Sequence, residues 1–362
     1  MRLLFVALVV VLSGMTASAQ TLDADAEMDG EGNVMGLRKG TGGGPLLVVL
    51  AHLDTVFPEG TNVTVRREGT RLMAPGIGDD TRAVAMMIAI IRAMNAAGMR
   101  TATDILFVGN VGEEGPGNLR GVRYLLQHGK YKDRIRAFVA IDGGDQATIV
   151  NGALGSRRYR VTFKGPGGHS YGAFGLVSPA FALGNAIDRF SRVVVPAKPK
   201  TTMNVGIVGG GNSVNSIPGE MFKDVDMRSE SPQELRKLDE AFLGVVRDAV
   251  DEENRTRSTA EGRIEADIKL LGDRPSGDTP VISELVQRTA AVVKAFGMTP
   301  SYEIGSTDSN IPISMGIPAV TIGRGRGGRG HSLEEWVDVE KTSSVKAAQV
   351  ALAIILASAG LQ

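Results

Sequence analysis

Apolar and polar positions alternate along this chain with two different rhythms. Residues 46–51, 104–108, 137–141 and 319–322 are nearly continuous apolar runs, the pattern of strands buried on both faces of a parallel sheet. Between the first two, residues 81–99 are rich in Ala and Met and predict a long buried helix. Strands alternating with helices predict an α/β domain built on a mostly parallel sheet, whose working residues gather at the carboxyl ends of the strands. The middle of the chain differs. Residues 157–163 and 263–271 alternate polar with apolar, as antiparallel strands with one wet face do. Ser178-Pro179 predicts a helix to about Arg192, Ser231-Pro232-Gln233-Glu234 a capping box opening a helix to about Asn254, and Thr279-Pro280 and residues 340–359 two more. The expected organisation is a catalytic domain over 20–156 and 272–362, with a small α+β domain over 157–271 inserted into it.

Composition narrows the class. Hydrophobic residues make up 43% and charged residues 22% of 362, which describes a globular protein large enough for two domains. Lys+Arg and Asp+Glu are 40 each, so no global field favours nucleic acid or an anionic membrane. Residues 1–19 read as a signal peptide: Arg2, an apolar stretch over 3–12, and Ala17-Ser18-Ala19 as the cleavage site. Export to the periplasm or medium is expected, with Gln20 as the mature N-terminus and no membrane span in the mature chain. The apolar stretch is too short to cross a bilayer. There is no cysteine, hence no disulfide, so stability rests on core size or bound metal.

Candidate chemistry lies at the ends of the predicted strands. The first ends in His52-Leu53-Asp54, which sends an imidazole and a carboxylate to the same side, either as a metal ligand with its orienting acid or as a pair capping a strand. Asp79-Asp80 stands at a glycine turn before the long helix, where an acid also serves as a cap. Glu113-Glu114 and Asp142-Gly143-Gly144 follow two further strands, and His331 closes a glycine–arginine loop. Of the four histidines, His128 fits a helix C-terminus and reads as structural. Five such motifs, each at the end of a predicted strand or in its loop, point to a metal site. Nitrogen and oxygen donors without sulfur suit zinc, with cobalt or manganese as substitutes. One shared carboxylate would hold two ions roughly 3.5–4 Å apart.

The order of these motifs resembles the co-catalytic dizinc peptidase family of peptidase T, glutamate carboxypeptidase, aminoacylase and succinyl-diaminopimelate desuccinylase. The resemblance implies a zinc exopeptidase-like α/β fold with an inserted lid and dimerisation domain. It implies that His52, Asp79, Glu114, Asp142 and His331 bind two zinc ions, with Asp79 bridging them across a cis bond to Asp80. Asp54 would orient His52 and Glu113 would be the general base. Gly165-Pro166-Gly167-Gly168-His169 resembles the lid motif whose His reaches the neighbouring subunit's site and stabilises an oxyanion. Asn215 and Arg228 fall where relatives hold a substrate carboxylate, although a surface salt bridge is an equal reading for Arg228. Gly305-Ser306-Thr307-Asp308 resembles the family's Thr–Asp turn near the site.

Two departures stand out. Thr81-Arg82 replaces the usual Lys after the acid pair, and the segment before the His–x–Asp strand is short, which predicts that part of one sheet face is uncovered or covered by a partner. The resulting expectation is an exported, homodimeric exopeptidase acting on small peptides. An N-acyl amino acid deacylase is the alternative, and an exported binding protein without turnover ranks below both. A polysaccharide or nucleic-acid surface at Arg324, Arg326 and Arg329 rests on a short basic loop alone, and that loop reads rather as positioning His331 or meeting a substrate carboxylate.

Overall fold

The computed structural model describes residues 26–362, so the expected leader and its cleavage after Ala19 lie outside the described residues. The described residues divide into two compact units, one formed by the residues before Leu154 with Asp278–Gln362, the other by Leu154–Gly277.

The first unit is built on a nine-stranded sheet. Leu46–His52 lies parallel between Asp104–Asn110 and Ile135–Gly143, and Ala319–Gly323 runs parallel to the latter. Antiparallel strands flank this core: Val34–Arg38 beside Asp104–Asn110, and Thr148–Ala153 beside Ala319–Gly323. The apolar runs are continuous because both faces of the sheet are covered. Leu47, Val49 and Ala51 face one core, while Leu46, Val48 and Leu50 face another. Helices Thr81–Ala96, Glu284–Ala295 and Lys341–Ala359 fill the first side with Met87, Ile90, Val293 and Ile354. The second side is covered by the short helices Arg120–Gln127 and Asn310–Ser314, through Val122, Leu125 and Ile311. The expected gap in the cover is not found among the described residues: Leu46, Val48, Leu50, Leu106 and Phe138 on this face are fully buried. Lys341–Ala359 is long and apolar enough to span a membrane by length and composition, and its core packing accounts for that character.

One helix starts later than its sequence signal. Thr279 is buried, and its hydroxyl donates to the Ala319 carbonyl at 2.8 Å. The chain therefore stays pinned to the sheet, and the helix begins at Glu284 after the cap Ser283.

The second unit is a four-stranded antiparallel sheet in the order Thr201–Gly210, Glu220–Ser229, Gly155–Lys164, Glu265–Arg274. Helices Pro179–Ser191 and Pro232–Thr256 pack on one face, where Val161, Phe163, Phe190 and Phe242 are buried. Ser231 caps its helix by accepting the Glu234 N–H at 3.3 Å. Ser178 makes no such side-chain bond; its own N–H donates to Glu253 at 2.9 Å.

Candidate metal centre

Three parallel strands end together and deliver the polar groups. Leu46–His52 ends in His52, Asp104–Asn110 leads into Glu113 and Glu114, and Ile135–Gly143 carries Asp142. Asp79 and Asp80 precede the Thr81–Ala96 helix across a cis peptide bond, as expected. His331 comes from the loop between Gly327–Gly328 and Trp336–Asp338, strands joined to Arg71–Met73 in a small antiparallel sheet. Six sequence-selected side chains, His52, Asp79, Glu113, Glu114, Asp142 and His331, thus fall into overlapping groups whose donor atoms lie within 4.8 Å of one another.

Asp79 stands at the centre. Its Oδ1 is 3.0 Å from His52 Nε2, and its Oδ2 is 3.2 Å from His331 Nε2. Asp142 Oδ1 lies 4.0 Å from His52 Nε2 on the first side, and Glu114 Oε1 lies 2.8 Å from His331 Nε2 on the second. The two oxygens of one carboxylate therefore face two separate His–carboxylate groups.

Whether these groups suit cations follows from the His52 ring. Its Nδ1 is 3.0 Å from the Asp54 backbone carbonyl, which can only accept, so Nδ1 carries a proton. In a neutral ring Nε2 then presents a lone pair toward Asp79. That arrangement is repulsive unless a proton or a metal ion lies between. Burial alone would lower the His52 pKa, yet the bond to Asp79 and the charges of Asp80, Asp142 and Glu113 raise it well above 6.5. Burial also opposes ionisation of Asp79, but the His52 bond and the charges of Arg324, His52 and His331 bring it down to about 2. Burial raises Asp80, Asp142 and Glu114. Buried acids crowded on two imidazoles call for added positive charge, and the donor set fits a pair of divalent ions sharing Asp79.

Asp54 works differently from the expectation. Its carboxylate is 3.7 Å from His52 Nδ1, and instead accepts the backbone N–H groups of Glu113 at 3.1 Å and Glu114 at 2.9 Å. The backbone of Asp54 orients the imidazole, while its side chain fixes the turn bearing the two glutamates.

Four contributors were not assigned to the centre from sequence. Asp80 is buried and accepts the His52 N–H at 3.2 Å. Glu335, 1% exposed, accepts the N–H groups of Gly76, Gly78 and Asp79 at 2.9, 2.8 and 2.6 Å, so it moulds the turn that presents Asp79. Its place four residues after His331 was the available signal. Arg82 donates to the carbonyls of Arg324 and Asp338 at 2.8 and 2.7 Å, which gives the Thr81-Arg82 departure a structural use. Arg324, in the loop read as positioning His331 or meeting a substrate carboxylate, turns inward and pairs with Asp142. Asp308 is also buried nearby, bonded to Asn110 at 2.8 Å, and burial pushes it up to about 7.

The remaining predicted residues belong to the second unit. His169 lies in the short strand Gly168–His169 paired with Ser216–Ile217, and Asn215 accepts the Ser170 N–H at 2.9 Å, so the two are neighbours. His169 Nδ1 accepts the N–H groups of Tyr171 and Gly172, both at 3.3 Å, which leaves Nε2 to carry the proton of a neutral ring. Arg228 bonds Asp226 at 2.8 Å, and Asp226 also accepts from Arg158 at 2.8 Å. Here the salt-bridge reading describes the observed contact.

Comparison with known proteins agrees with this construction. Residues 48–357 match the model of peptidase family M20/M25/M40. Carboxypeptidase G2 from Pseudomonas sp. (strain RS-16) is 26% identical over 321 residues, covering 85% of this chain and 72% of that protein. Acetylornithine deacetylase from Myxococcus xanthus is 26% identical over 345 residues, covering 91% and 84%. Among solved structures, aminopeptidase PepT from Bacillus cereus superposes with a TM-score of 0.75 at 20% identity, over 97% of this chain and 91% of that one. A dinuclear metal binding M20 peptidase from Bacillus subtilis gives 0.64 at 17% identity, over 92% and 88%. The family match spans every candidate ligand from His52 to His331, and the chain belongs to peptidase family M20/M25/M40, hydrolases of peptide and amide bonds.

Proposed function

We propose that this protein is an exported, zinc-dependent exopeptidase of small peptides. The observation that carries the reading is the division of Asp79 between two His–carboxylate groups, with Glu113 buried beside them. His52 and Asp142 would hold one ion, Glu114 and His331 the other, and Asp79 both. Zinc, when bound, supplies Lewis acidity toward a carbonyl oxygen and toward water.

The chain's own groups account for the proton traffic. Glu113 accepts a proton from the attacking water and passes it to the departing amine. Its backbone is fixed by Asp54, so the carboxylate is pre-positioned. His169, protonated on Nε2, is the donor assigned to the developing oxyanion, contributed by the second subunit of a homodimer. Thr201–Gly210 is one of the two outer strands of the second unit's sheet and exposes Ile207 and Val208, an edge suited to pairing with another copy. Asn215 would hold a substrate carboxylate, together with Arg228 through the terminal nitrogens that its Nε bond to Asp226 leaves over.

Deacylation of N-acyl amino acids is the second reading, favoured by the similarity to an acetylornithine deacetylase. A panel of di- and tripeptides against N-acetyl amino acids, assayed with zinc-loaded protein, separates the two. Preferential peptide cleavage supports the proposal. Turnover confined to the acylated amino acids transfers it to deacylation, and hydrolysis of neither class by protein of full zinc content refutes both. Gel filtration of a fully active monomer would remove the role given to His169.

A further inference from the structure

The two His–carboxylate groups around Asp79 are chemically unequal, because a guanidinium lies against one of them. Arg324 Nη1 contacts the Asp142 carboxylate, accepts nothing, and stands 3.4 Å from Asp80 Oδ1 and 3.6 Å from Asp79 Oδ1. That Asp79 oxygen is the one facing His52. The same nitrogen donates to the Asp142 carbonyl at 2.6 Å. Arg324 thus points its charge at the oxygens of the His52–Asp79–Asp142 group. No guanidinium or ammonium contact to Glu114, His331 or Asp79 Oδ2 is found among the described residues.

This is a built placement. The Arg324 N–H donates to the Gly143 carbonyl at 2.8 Å, and its carbonyl accepts from Arg82 Nε at 2.8 Å, so its backbone is held on both sides. Gly325 follows at φ +110°, and a Cβ there would come within 2.7 Å of the Arg82 guanidinium. The loop leaves the Ala319–Gly323 strand in one course, and the side chain is 16% exposed. An arginine so anchored is an internal cation, matched to carboxylates in charge and hydrogen-bond geometry.

We propose that Arg324 is a resident counter-cation that competes with the metal ion of the His52–Asp79–Asp142 site. The Asp79–Glu114–His331 site then fills first, and the other takes its ion only as Arg324 withdraws from Asp142. The inference rests on the two-ion reading above and adds an order of filling to it. It makes the fully loaded state dependent on metal concentration, with Arg324 neutralising the acids when the second ion is absent.

The test is a titration of chelator-stripped protein with Co2+, followed by calorimetry and visible absorption, on wild type, Arg324→Gln and Arg324→Met. Wild type is expected to bind one ion tightly and a second more weakly. Each neutral variant should tighten the second step by roughly tenfold or more and leave the first nearly unchanged, as expected for removing a like charge at contact distance. His331→Ala should abolish the tight step and so identify it. Thermal melts should show each metal-free Arg324 variant folded but less stable than wild type, with Co2+ restoring the difference. A second step unchanged in a folded variant overturns the proposal, as do two equal steps in wild type; both leave the two-ion reading standing. Failure of wild type and both variants to take a second ion at saturating Co2+ sinks the two-ion reading itself.

Discussion

Replacing Glu335 by alanine tests how the turn that presents Asp79 is held. The carboxylate is 1% exposed and accepts three backbone N–H groups, from Gly76, Gly78 and Asp79. Hydrogen bonds to a charged partner are worth about 1.5–3 kcal/mol each, and a buried donor left unpaired costs about 1–3 kcal/mol. Three donors sharing one acceptor group do not add fully, so the expected loss is about 4 kcal/mol. In a unit of this size that lowers the melting temperature by roughly 10 °C. Glu335→Gln keeps an oxygen for the two bonds made by Oε1 but turns an NH2 group on the third donor, so its expected loss is about 2 kcal/mol. Urea and thermal unfolding measure stability, and metal analysis after dialysis measures the second consequence. Bound zinc should fall in both variants because Asp79 serves both groups. A Glu335→Ala protein within about 0.5 kcal/mol of wild type and with full zinc content would refute the reasoning.

Glu113→Gln should keep wild-type zinc content and lose at least about 100-fold in kcat, the range for a missing general base; normal turnover would exclude that role. Arg82→Met removes donors to Arg324, Asp338 and Ser344 and should cost about 2 kcal/mol in urea unfolding. Asp308 is raised from 3.8 to about 7, so the folded metal-free protein binds this proton more tightly than the unfolded chain. Its contribution is therefore favourable at acid pH and is lost as pH climbs through that window, and Asp308→Asn should flatten the fall in stability between about pH 4 and 7. Equal slopes for the two proteins would contradict this. Chelation should abolish hydrolysis, and added zinc should restore it to wild type but not to Glu113→Gln.

What could be read from the sequence was what depends on local pattern. The four apolar runs announced the central strands because burial on both faces leaves no polar alternation to confuse the signal. The acids and histidines at their ends were legible because parallel strands point their carboxyl ends the same way. The five-residue strands Val34–Arg38 and Ser301–Gly305 were not, since so short a segment carries a weak period, whether buried like the first or exposed like the second. Glu335 and Arg324 escaped for another reason. Their partners are 256–259 and 182 residues away in sequence, and a Glu or Arg in a loop is by default a solvated charge. Asp54 shows a subtler limit: the His–x–Asp spacing located both side chains, but which oxygen meets the imidazole depended on where Glu113 and Glu114 came to rest.

The central claim is that Asp79 is shared between two metal ions. Diffraction at the zinc absorption edge, from crystals equilibrated with saturating zinc, tests it most directly. The account predicts two anomalous peaks flanking the Asp79 carboxylate, one beside His52 and Asp142 and one beside Glu114 and His331. Peaks elsewhere, or an Asp79 carboxylate touching no metal, would contradict it.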